Sequence, residues 1–234
     1  MISIIPVAGI GEIGRGDELA VLIADAAREQ GTPLADRDCV VVTQKIVSKA
    51  EGRLVPLDPL DRDARRRLVE SESVRIVRVR GDLIISETPH GFVCANAGID
   101  LSNVEAGYAA LLPVDSDRSA KHVRDALRAR AGVDVGVIVS DTFGRPWRQG
   151  LTDVAIGVSG ITAVVDLRGA TDALGRELMV TEVAIADEIA SAAELVMGKS
   201  ANVPVAIVRG LDASWFGAGS VRQLIRPPQD DLFR

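Results

Sequence analysis

The sequence contains few aromatic residues and few cysteines. Phe, Trp and Tyr make up 3% of the chain, so aliphatic side chains must fill the interior, and stacking platforms for single-stranded nucleic acid are not expected. The two cysteines, Cys39 and Cys94, each lie in an apolar stretch without a CxxC partner. This favours buried thiols in a reducing compartment over disulfides or a zinc site.

The sequence also lacks an excess of basic residues and long apolar runs. Lys and Arg number 27 against 33 Asp and Glu, a net charge of −6, which argues against binding to bulk nucleic acid or anionic membranes. No run is long enough to cross a bilayer, and residues 1–6 lack the features of a signal peptide. We expect a cytoplasmic protein whose 234 residues, 47% of them hydrophobic, form one large domain or two small ones.

The most informative stretch follows an apolar run at Val135–Val139, which has the length and β-branched composition of a buried strand. The glycines and proline of Ser140–Gly150 then predict a loop. Asp141 and Thr142 would lie at the end of the strand, with two arginines nearby. A carboxylate suits a hard cation, and a guanidinium binds phosphate or carboxylate. The stretch predicts a site for a metal and a phosphorylated ligand; a polar loop with a surface salt bridge is the alternative.

The amino-terminal region reads as a strand over residues 2–7, a glycine-rich loop over 8–16 and a helix over 17–30. This order is typical of a phosphate cradle. The glycine spacing matches neither the P-loop nor GxGxxG, so a flexible turn explains it equally well. A second buried strand over 38–43 precedes the basic segment 43–53, which predicts either an anion site or a solvated basic face.

Three further polar residues lie between or after short predicted strands. Residues 82–88 and 91–95 predict a hairpin with His90 at its tip, where a surface histidine is the default. Asp100 and Asn103 lie three positions apart, so both could face one site from a helical turn; an Asx turn is the alternative. The remaining patterns predict helices over 59–70, 115–132 and 182–197, strands over 74–80, 152–156, 163–168 and 203–208, a turn over 157–160, and an irregular tail over 223–234.

Taken together, several of these segments resemble the coenzyme F420:L-glutamate ligase family over nearly the whole chain. The segments that carry the resemblance are Val42–Gly52, His90–Asp100, Ser102–Asn103, Ser140–Arg148, and Thr181–Ala184 with Asp187 and Glu188. The resemblance implies one ligase domain over residues 1–234, with two subdomains as an alternative. It also implies an α+β fold of mixed sheets with packed helices, neither ATP-grasp nor Rossmann, and an intertwined homodimer.

The resemblance further implies a GTP-dependent amide ligase with two divalent cations, Mg²⁺ or Mn²⁺, and a monovalent cation such as K⁺ as a further candidate. The implied metal ligands are Asp100, Asp141 and Thr142. Some family members carry a glutamate or glutamine as a further metal ligand after the long helix, where this chain has other residues. The implied nucleotide contacts are Ile10, Gly11, Glu12, Ile13, Gln44, Lys49, Asn103, Lys199, Ser200, Ala201 and Asn202.

The implied substrates are coenzyme F420-0, L-glutamate and GTP. A carboxylate acylates an amine only after activation, so transfer of the γ-phosphoryl group would first give an acyl phosphate. Catalytic roles would fall to Asp141, Arg145 and Lys45, and substrate contacts to His90 and Arg148, with the basic groups binding carboxylates or the phosphodiester. Two alternatives remain at this point: a GTP-binding regulatory protein without catalysis, and a metal-dependent phosphatase.

Overall fold

The computed structural model describes residues 1–232. Its helices are α1 (Leu19–Glu29), α2 (Gln44–Ala50), α3 (Arg62–Ser71), α4 (Ser116–Ala131) and α5 (Ile185–Met197). Its strands are β1 (Ser3–Pro6), β2 (Cys39–Thr43), β3 (Leu54–Pro56), β4 (Arg75–Arg80), β5 (Leu83–Glu87), β6 (Val93–Ala95), β7 (Tyr108–Ala110), β8 (Gly136–Arg145), β9 (Arg148–Ser159), β10 (Val165–Asp166), β11 (Glu182–Val183) and β12 (Val205–Arg209). The predicted α+β class with mixed sheets and packed helices is confirmed.

A five-stranded sheet in the order β1-β12-β2-β8-β9 organises the chain. The pair β2–β8 is parallel, and the other neighbouring pairs are antiparallel. Val40 and Val42 pack in one buried cluster with α1 and α4, whereas Cys39 and Val41 pack in another with α5. Because helices cover both faces, the central strand is an unbroken apolar run and does not alternate with polar residues.

Three smaller sheets surround this core. They consist of β3 with β7, of β4-β5-β6, and of β10 with β11. The β5–β6 hairpin docks against β8 through an edge-to-face contact between Phe92 and Phe143, whose ring centroids are 6.0 Å apart. Both cysteines are free and buried, as predicted, and burial raises the pKa of the Cys94 thiol to about 12.

The prediction of a loop over Ser140–Gly150 is wrong, because most of this segment forms a long β-hairpin. Pairing with β2 covers residues 136–140, and pairing with β9 continues through Arg145 before the chain turns. Trp147 and Gly150 both have positive φ, of 57° and 84°, at this turn. Cross-strand hydrogen bonding with β9 therefore holds a polar, glycine-containing segment in an extended form that its composition disfavours.

Other boundaries also differ from the predictions. β9 runs on through Ser159 and so takes up most of the predicted turn at 157–160, and the predicted strand at 163–168 is reduced to β10. α5 begins at Ile185, since Glu182 and Val183 pair with β10 instead. The tail holds short 3₁₀ turns at Val221–Gln223 and Pro228–Asp230, and residues 233–234 of that prediction lie outside the described residues.

Candidate active site

Asp141 is the centre of an acidic cluster on the β8–β9 hairpin. Burial first, and then the neighbouring carboxylates of Asp100 and Asp153, raise the pKa of Asp141 to about 7, against the lowering by a hydrogen bond from the Thr142 backbone and by Lys199. Side chains alternate along a strand, so Asp141 points away from Thr142 and towards Asp100 and Cys94. The charge of Asp141 raises the pKa of the Cys94 thiol. A partly buried carboxylate among other carboxylates gains most from a bound cation.

Asp100 reaches this cluster from the loop that follows β6. Its backbone exchanges both hydrogen bonds with Ala110, at 3.0 and 2.8 Å, and the amide and hydroxyl of Ser102 donate to its carboxylate at 2.7 and 2.8 Å. The Asx-turn alternative is thus confirmed, and the helical turn is wrong. Asn103, with φ of 51°, is exposed in the same turn.

Lys45 lies against Asp100. Its Nζ is 2.8 Å from the Asp100 carboxylate and donates to the Ser102 hydroxyl at 2.9 Å. Burial alone would raise the pKa of Asp100, but the hydrogen bonds from Lys45 and Ser102 hold it below its usual value. Asp100 is therefore ionised under conditions in which Asp141 retains a proton.

The Asp100–Asp141 pair fits a hard divalent cation in its donor chemistry. Both donors are carboxylates, which suit Mg²⁺ and Mn²⁺ better than soft metals. Within residues 1–232, however, no set of three or more His, Cys, Asp or Glu side chains could hold a metal together. An ion at this pair would therefore need further oxygens from water or from a phosphorylated ligand, which is how Mg²⁺ is commonly held.

A second polar cluster lies on the opposite face of β8. Thr142 and Asp153 are direct cross-strand partners, and the carboxylate of Asp153, only 2% exposed, accepts from Thr142 at 2.6 Å and from Ser140 at 3.2 Å. Lys199 joins them from the end of α5, with its Nζ 2.9 Å from Asp153 and 3.0 Å from Glu194, and it also contacts the Thr142 hydroxyl.

Sequence reasoning missed Asp153 and Glu194. Asp153 lies in the predicted strand at 152–156, and its position opposite Thr142 depends on the register of a hairpin that was not predicted. Partial burial lowers the pKa of Lys199, but its hydrogen bonds to Asp153 and Glu194 raise it above the usual value. Of the other predicted contacts after α5, Ser200, Ala201 and Asn202 are exposed in the turn before β12.

The amino-terminal loop and α2 lie side by side. Ile10 and Ile13 pack against the core and leave Gly11 and Glu12 exposed between them. Lys49, buried on α2, makes an ion pair with the exposed Glu12. The solvated-face alternative for residues 43–53 is therefore wrong, because that segment is a largely buried helix.

Helix α2 also connects this loop to the acidic cluster. Lys45 and Lys49 are four residues apart and therefore neighbours on one helix face, with Asp100 at one end and Glu12 at the other. Gln44 is buried, and its amide nitrogen donates to the Ser48 hydroxyl at 2.6 Å and the Leu111 carbonyl at 3.0 Å. α2 thus places two lysine ammonium groups between the glycine-rich loop and the Asp100–Asp141 carboxylates.

Comparison with known proteins identifies the group of enzymes to which this constellation belongs. A family model described as F420-0:gamma-glutamyl ligase matches residues 9–210. The coenzyme F420:L-glutamate ligase of Methanothermobacter thermautotrophicus is 45% identical over 100% of this chain and 99% of its own. Those of Methanopyrus kandleri (46% identical, 94% and 92% covered) and Methanocaldococcus jannaschii (43%, 86% and 86%) are also similar. The chain belongs to the F420-0:gamma-glutamyl ligase family.

The two arginines that the ligase resemblance singles out lie at the far end of the hairpin. Arg145 and Arg148 are exposed beside the turn, and Arg145 donates to the Gln149 carbonyl at 3.2 Å. At about 3.3 Å per residue, Arg145 lies roughly 13 Å along β8 from Asp141. This separation places the guanidinium groups beyond direct reach of a metal at Asp141 but within the span of an extended anionic substrate.

His90, the remaining residue implied by the ligase resemblance, is half-buried and hydrogen-bonded. Its Nε2 lies 2.8 Å from the Pro113 carbonyl and its Nδ1 3.3 Å from the Thr88 hydroxyl. Its ring stacks on Phe92 at a centroid distance of 5.5 Å. The prediction that His90 is a surface histidine is therefore wrong. His90 instead supports the aromatic contact that docks the β5–β6 hairpin onto β8.

Proposed function

We propose that this chain is a GTP-dependent ligase that adds L-glutamate to coenzyme F420-0 through γ-glutamyl amide bonds in coenzyme F420 biosynthesis. The observation that carries the proposal is the match to the ligase family along the chain, at 39–46% identity to relatives named for this activity. The Asp100–Asp141 pair and the lysines of α2 supply the charges that such a reaction needs.

The proposed reaction proceeds in two steps. The acceptor carboxylate first attacks the γ-phosphorus of GTP, so that the bond to the β-phosphate oxygen breaks and GDP leaves. The amine of glutamate then attacks the resulting acyl phosphate, loses a proton, and displaces inorganic phosphate as the amide forms. Activation is required because an oxide ion is too poor a leaving group to depart from a carboxylate.

The residues of the candidate site divide into those that would bind the cation and GTP and those that would bind the acceptor. Asp100 and Asp141 would hold a divalent cation, whose chemistry is to neutralise phosphate charge. Lys49, the loop Ile10–Ile13, Gln44 and Asn103 would bind GTP, and Lys45 would move from Asp100 to a phosphate or carboxylate oxygen as charge develops. The second implied cation would need Thr142, whose hydroxyl is already bonded to Asp153 and Lys199.

The acceptor and glutamate would lie along the hairpin. Arg145 and Arg148 can each bind a carboxylate or phosphodiester by paired donors. Their exposure beside the turn leaves these donors accessible to an extended anion that reaches Asp141 at its other end. His90 would contribute by holding Phe92 against Phe143, two residues from Asp141.

Mass spectrometry of the reaction tests the proposal. The mixture contains F420-0, L-glutamate, GTP and Mn²⁺, and each component is omitted in turn. We expect a mass gain of one or more glutamyl units and release of GDP only in the complete mixture. GDP release without any mass gain would indicate a phosphatase, and tight GTP binding without turnover would indicate a regulatory protein; either result would refute the ligase.

The matched variant for this assay is Asp141→Asn, which keeps the side-chain shape but removes the charge. We expect glutamylation to fall by at least about a hundredfold, the scale of losing one electrostatic contact to the transition state. Glu29→Gln, at the end of α1 and outside the site, should retain full activity. Near-wild-type turnover in Asp141→Asn would contradict the assigned role.

We also propose that the chain forms a homodimer, as the family resemblance implies. Support comes from apolar side chains that the hairpin exposes around its turn. Trp147 is 79% exposed and Leu151 is 68% exposed. Large exposed apolar groups near one turn are typical of surfaces that pack against another chain.

A further inference from the structure

Lys199 is surrounded by the kind of ligands that a metal ion receives. Its Nζ lies 2.9 Å from Asp153 Oδ1 and 3.0 Å from Glu194 Oε1, and it contacts the Thr142 hydroxyl. Two carboxylate oxygens and a hydroxyl oxygen around one cation match the donor set of a hard divalent ion. Here the charge at their centre is an ammonium group that the chain itself provides.

The Thr142 hydroxyl has little capacity left for a metal while Lys199 is in place. Its proton is donated to Asp153 at 2.6 Å, and one of its lone pairs accepts from Lys199. A divalent ion bound to Thr142 would lie at about 2.1 Å from the oxygen. At that distance it would be within a few ångströms of the ammonium, so the two cations would repel each other strongly.

The two clusters are also separated by the strand itself. Asp141 points towards Asp100 and Cys94, whereas Thr142 points to the opposite face, where Asp153 receives its hydrogen bond. An ion held by Asp100 and Asp141 therefore shares no ligand with the Thr142 cluster, and Asp153 and Lys199 act on Asp141 only through their charges. One divalent ion and one ammonium can occupy the two positions together without sharing a carboxylate.

We infer that Lys199 replaces the second divalent cation of the site, so that the chain binds a single divalent ion, at Asp100 and Asp141. The inference rests on the metal-dependent ligase reaction proposed above, and it assigns to Lys199 the charge that would otherwise come from the second metal. As a compact point charge on a flexible stem, a lysine is suited to this position beside a phosphate. The family members that carry Glu or Gln in this segment would instead complete a metal site.

Counting bound Mn²⁺ tests the inference directly. The electron paramagnetic resonance signal of free Mn²⁺ is followed as the metal is titrated into the protein, with and without a non-hydrolysable GTP analogue. We expect one tightly bound Mn²⁺ per wild-type chain and two per chain in Lys199→Met, with the second site at least about tenfold tighter than in wild type. Lys199→Arg, which keeps the positive charge, should bind one.

Each other outcome overturns a defined part of the argument. Two equivalent Mn²⁺ ions in wild type, or one in both wild type and Lys199→Met, would exclude the replacement of a metal by Lys199 while leaving the ligase reaction intact. Absence of Mn²⁺ binding to every variant, with or without nucleotide, would refute the Asp100–Asp141 site and the metal-dependent reaction as well.

Thermal unfolding gives a second readout that needs neither GTP nor activity. In Lys199→Met the carboxylates of Asp153 and Glu194 lose their cation, so the metal-free variant should unfold at a lower temperature than wild type. Because a ligand that binds the folded state stabilises it, Mn²⁺ should raise the unfolding temperature of this variant more than that of wild type. Equal shifts in the two proteins would contradict the inference.

Discussion

Two aspartates of the same site show how strongly local contacts determine the charge of a side chain. Asp100 receives hydrogen bonds from Lys45 and Ser102, which hold its pKa below the usual value. For Asp141, burial first and the carboxylates of Asp100 and Asp153 second raise the pKa to about 7, and they outweigh the lowering by the Thr142 amide and Lys199. One carboxylate is thus ionised at neutral pH, and the other would ionise on binding the cation proposed for the site.

This difference makes the stability of the metal-free protein depend on pH. Folded Asp141 keeps its proton up to about pH 7, whereas the unfolded chain releases it near 3.8. The folded state therefore binds more protons between these values, and the free energy of unfolding falls as pH rises through the window. In Asp141→Asn, measured in a metal chelator, this loss should be absent, leaving the variant more stable than wild type at pH 8 by roughly 1–3 kcal/mol.

Denaturant unfolding at several pH values measures the effect. Asp125→Asn is a suitable control, since that exposed carboxylate has a lowered pKa and should contribute the opposite slope at lower pH. If the free energy of unfolding changed with pH in the same way in wild type and Asp141→Asn, Asp141 would not be the cause of the pH dependence. The expected gain in stability, together with a loss of ligation, is the usual relation between a site's electrostatic strain and its activity.

At the scale of elements, the sequence predicted buried strands and helices well and the site hairpin poorly. The apolar runs at β2 and β12 and the capped helix α4 follow from local composition: Asp115 accepts from the Arg118 amide, and Gly132 ends the helix with φ of 71°. The path of residues 140–150 depends instead on pairing with β9, a tertiary contact that a polar composition does not indicate. Asp153 and Glu194 were missed for the same reason.

The close contact between β9 and the start of α4 depends on a single glycine. A Cβ on Gly157 would lie 2.2 Å from the backbone oxygen of Ser116, and the neighbouring Asp117 carboxylate accepts from the Val158 amide at 2.8 Å and the Ser220 hydroxyl at 2.6 Å. Gly157→Ala would force α4 away from the strand that carries Asp153. The position of the helix and the geometry of the site are therefore coupled through β9.

We expect Gly157→Ala to lower the free energy of unfolding by about 1–3 kcal/mol, the cost of overpacking a rigid contact. Gly217→Ala is the matched control, because a Cβ at Gly217 meets no atom within 4 Å and its φ is not positive. Guanidinium unfolding of the two variants measures the difference. If both variants unfolded like wild type, the backbone contact between β9 and α4 would not be rigid.

At the scale of the whole molecule, the distribution of charge and apolar surface agrees with an enzyme that handles small anions. The net charge of −6 repels polyanions in general, while Lys45, Lys49 and the two hairpin arginines place positive charge beside the candidate site. Within residues 1–232 no helix combines the length and apolar character needed to span a membrane. In the homodimer proposed above, the second copy of the chain would cover the exposed apolar residues at the hairpin turn.

That contact predicts a mass in solution of about twice the 24.7 kDa of one chain. Replacing Trp147 and Leu151 together by serine removes the apolar surface at the turn. The double variant should therefore dissociate to single chains at a higher protein concentration than wild type does. Light scattering after size-exclusion chromatography measures the mass over a range of concentrations.

Leu60→Ser, at a position 87% exposed in a different turn, is the control and should keep the wild-type mass. A single-chain mass for wild type at every concentration would contradict the homodimer, and an unchanged double variant would place its interface elsewhere on the surface.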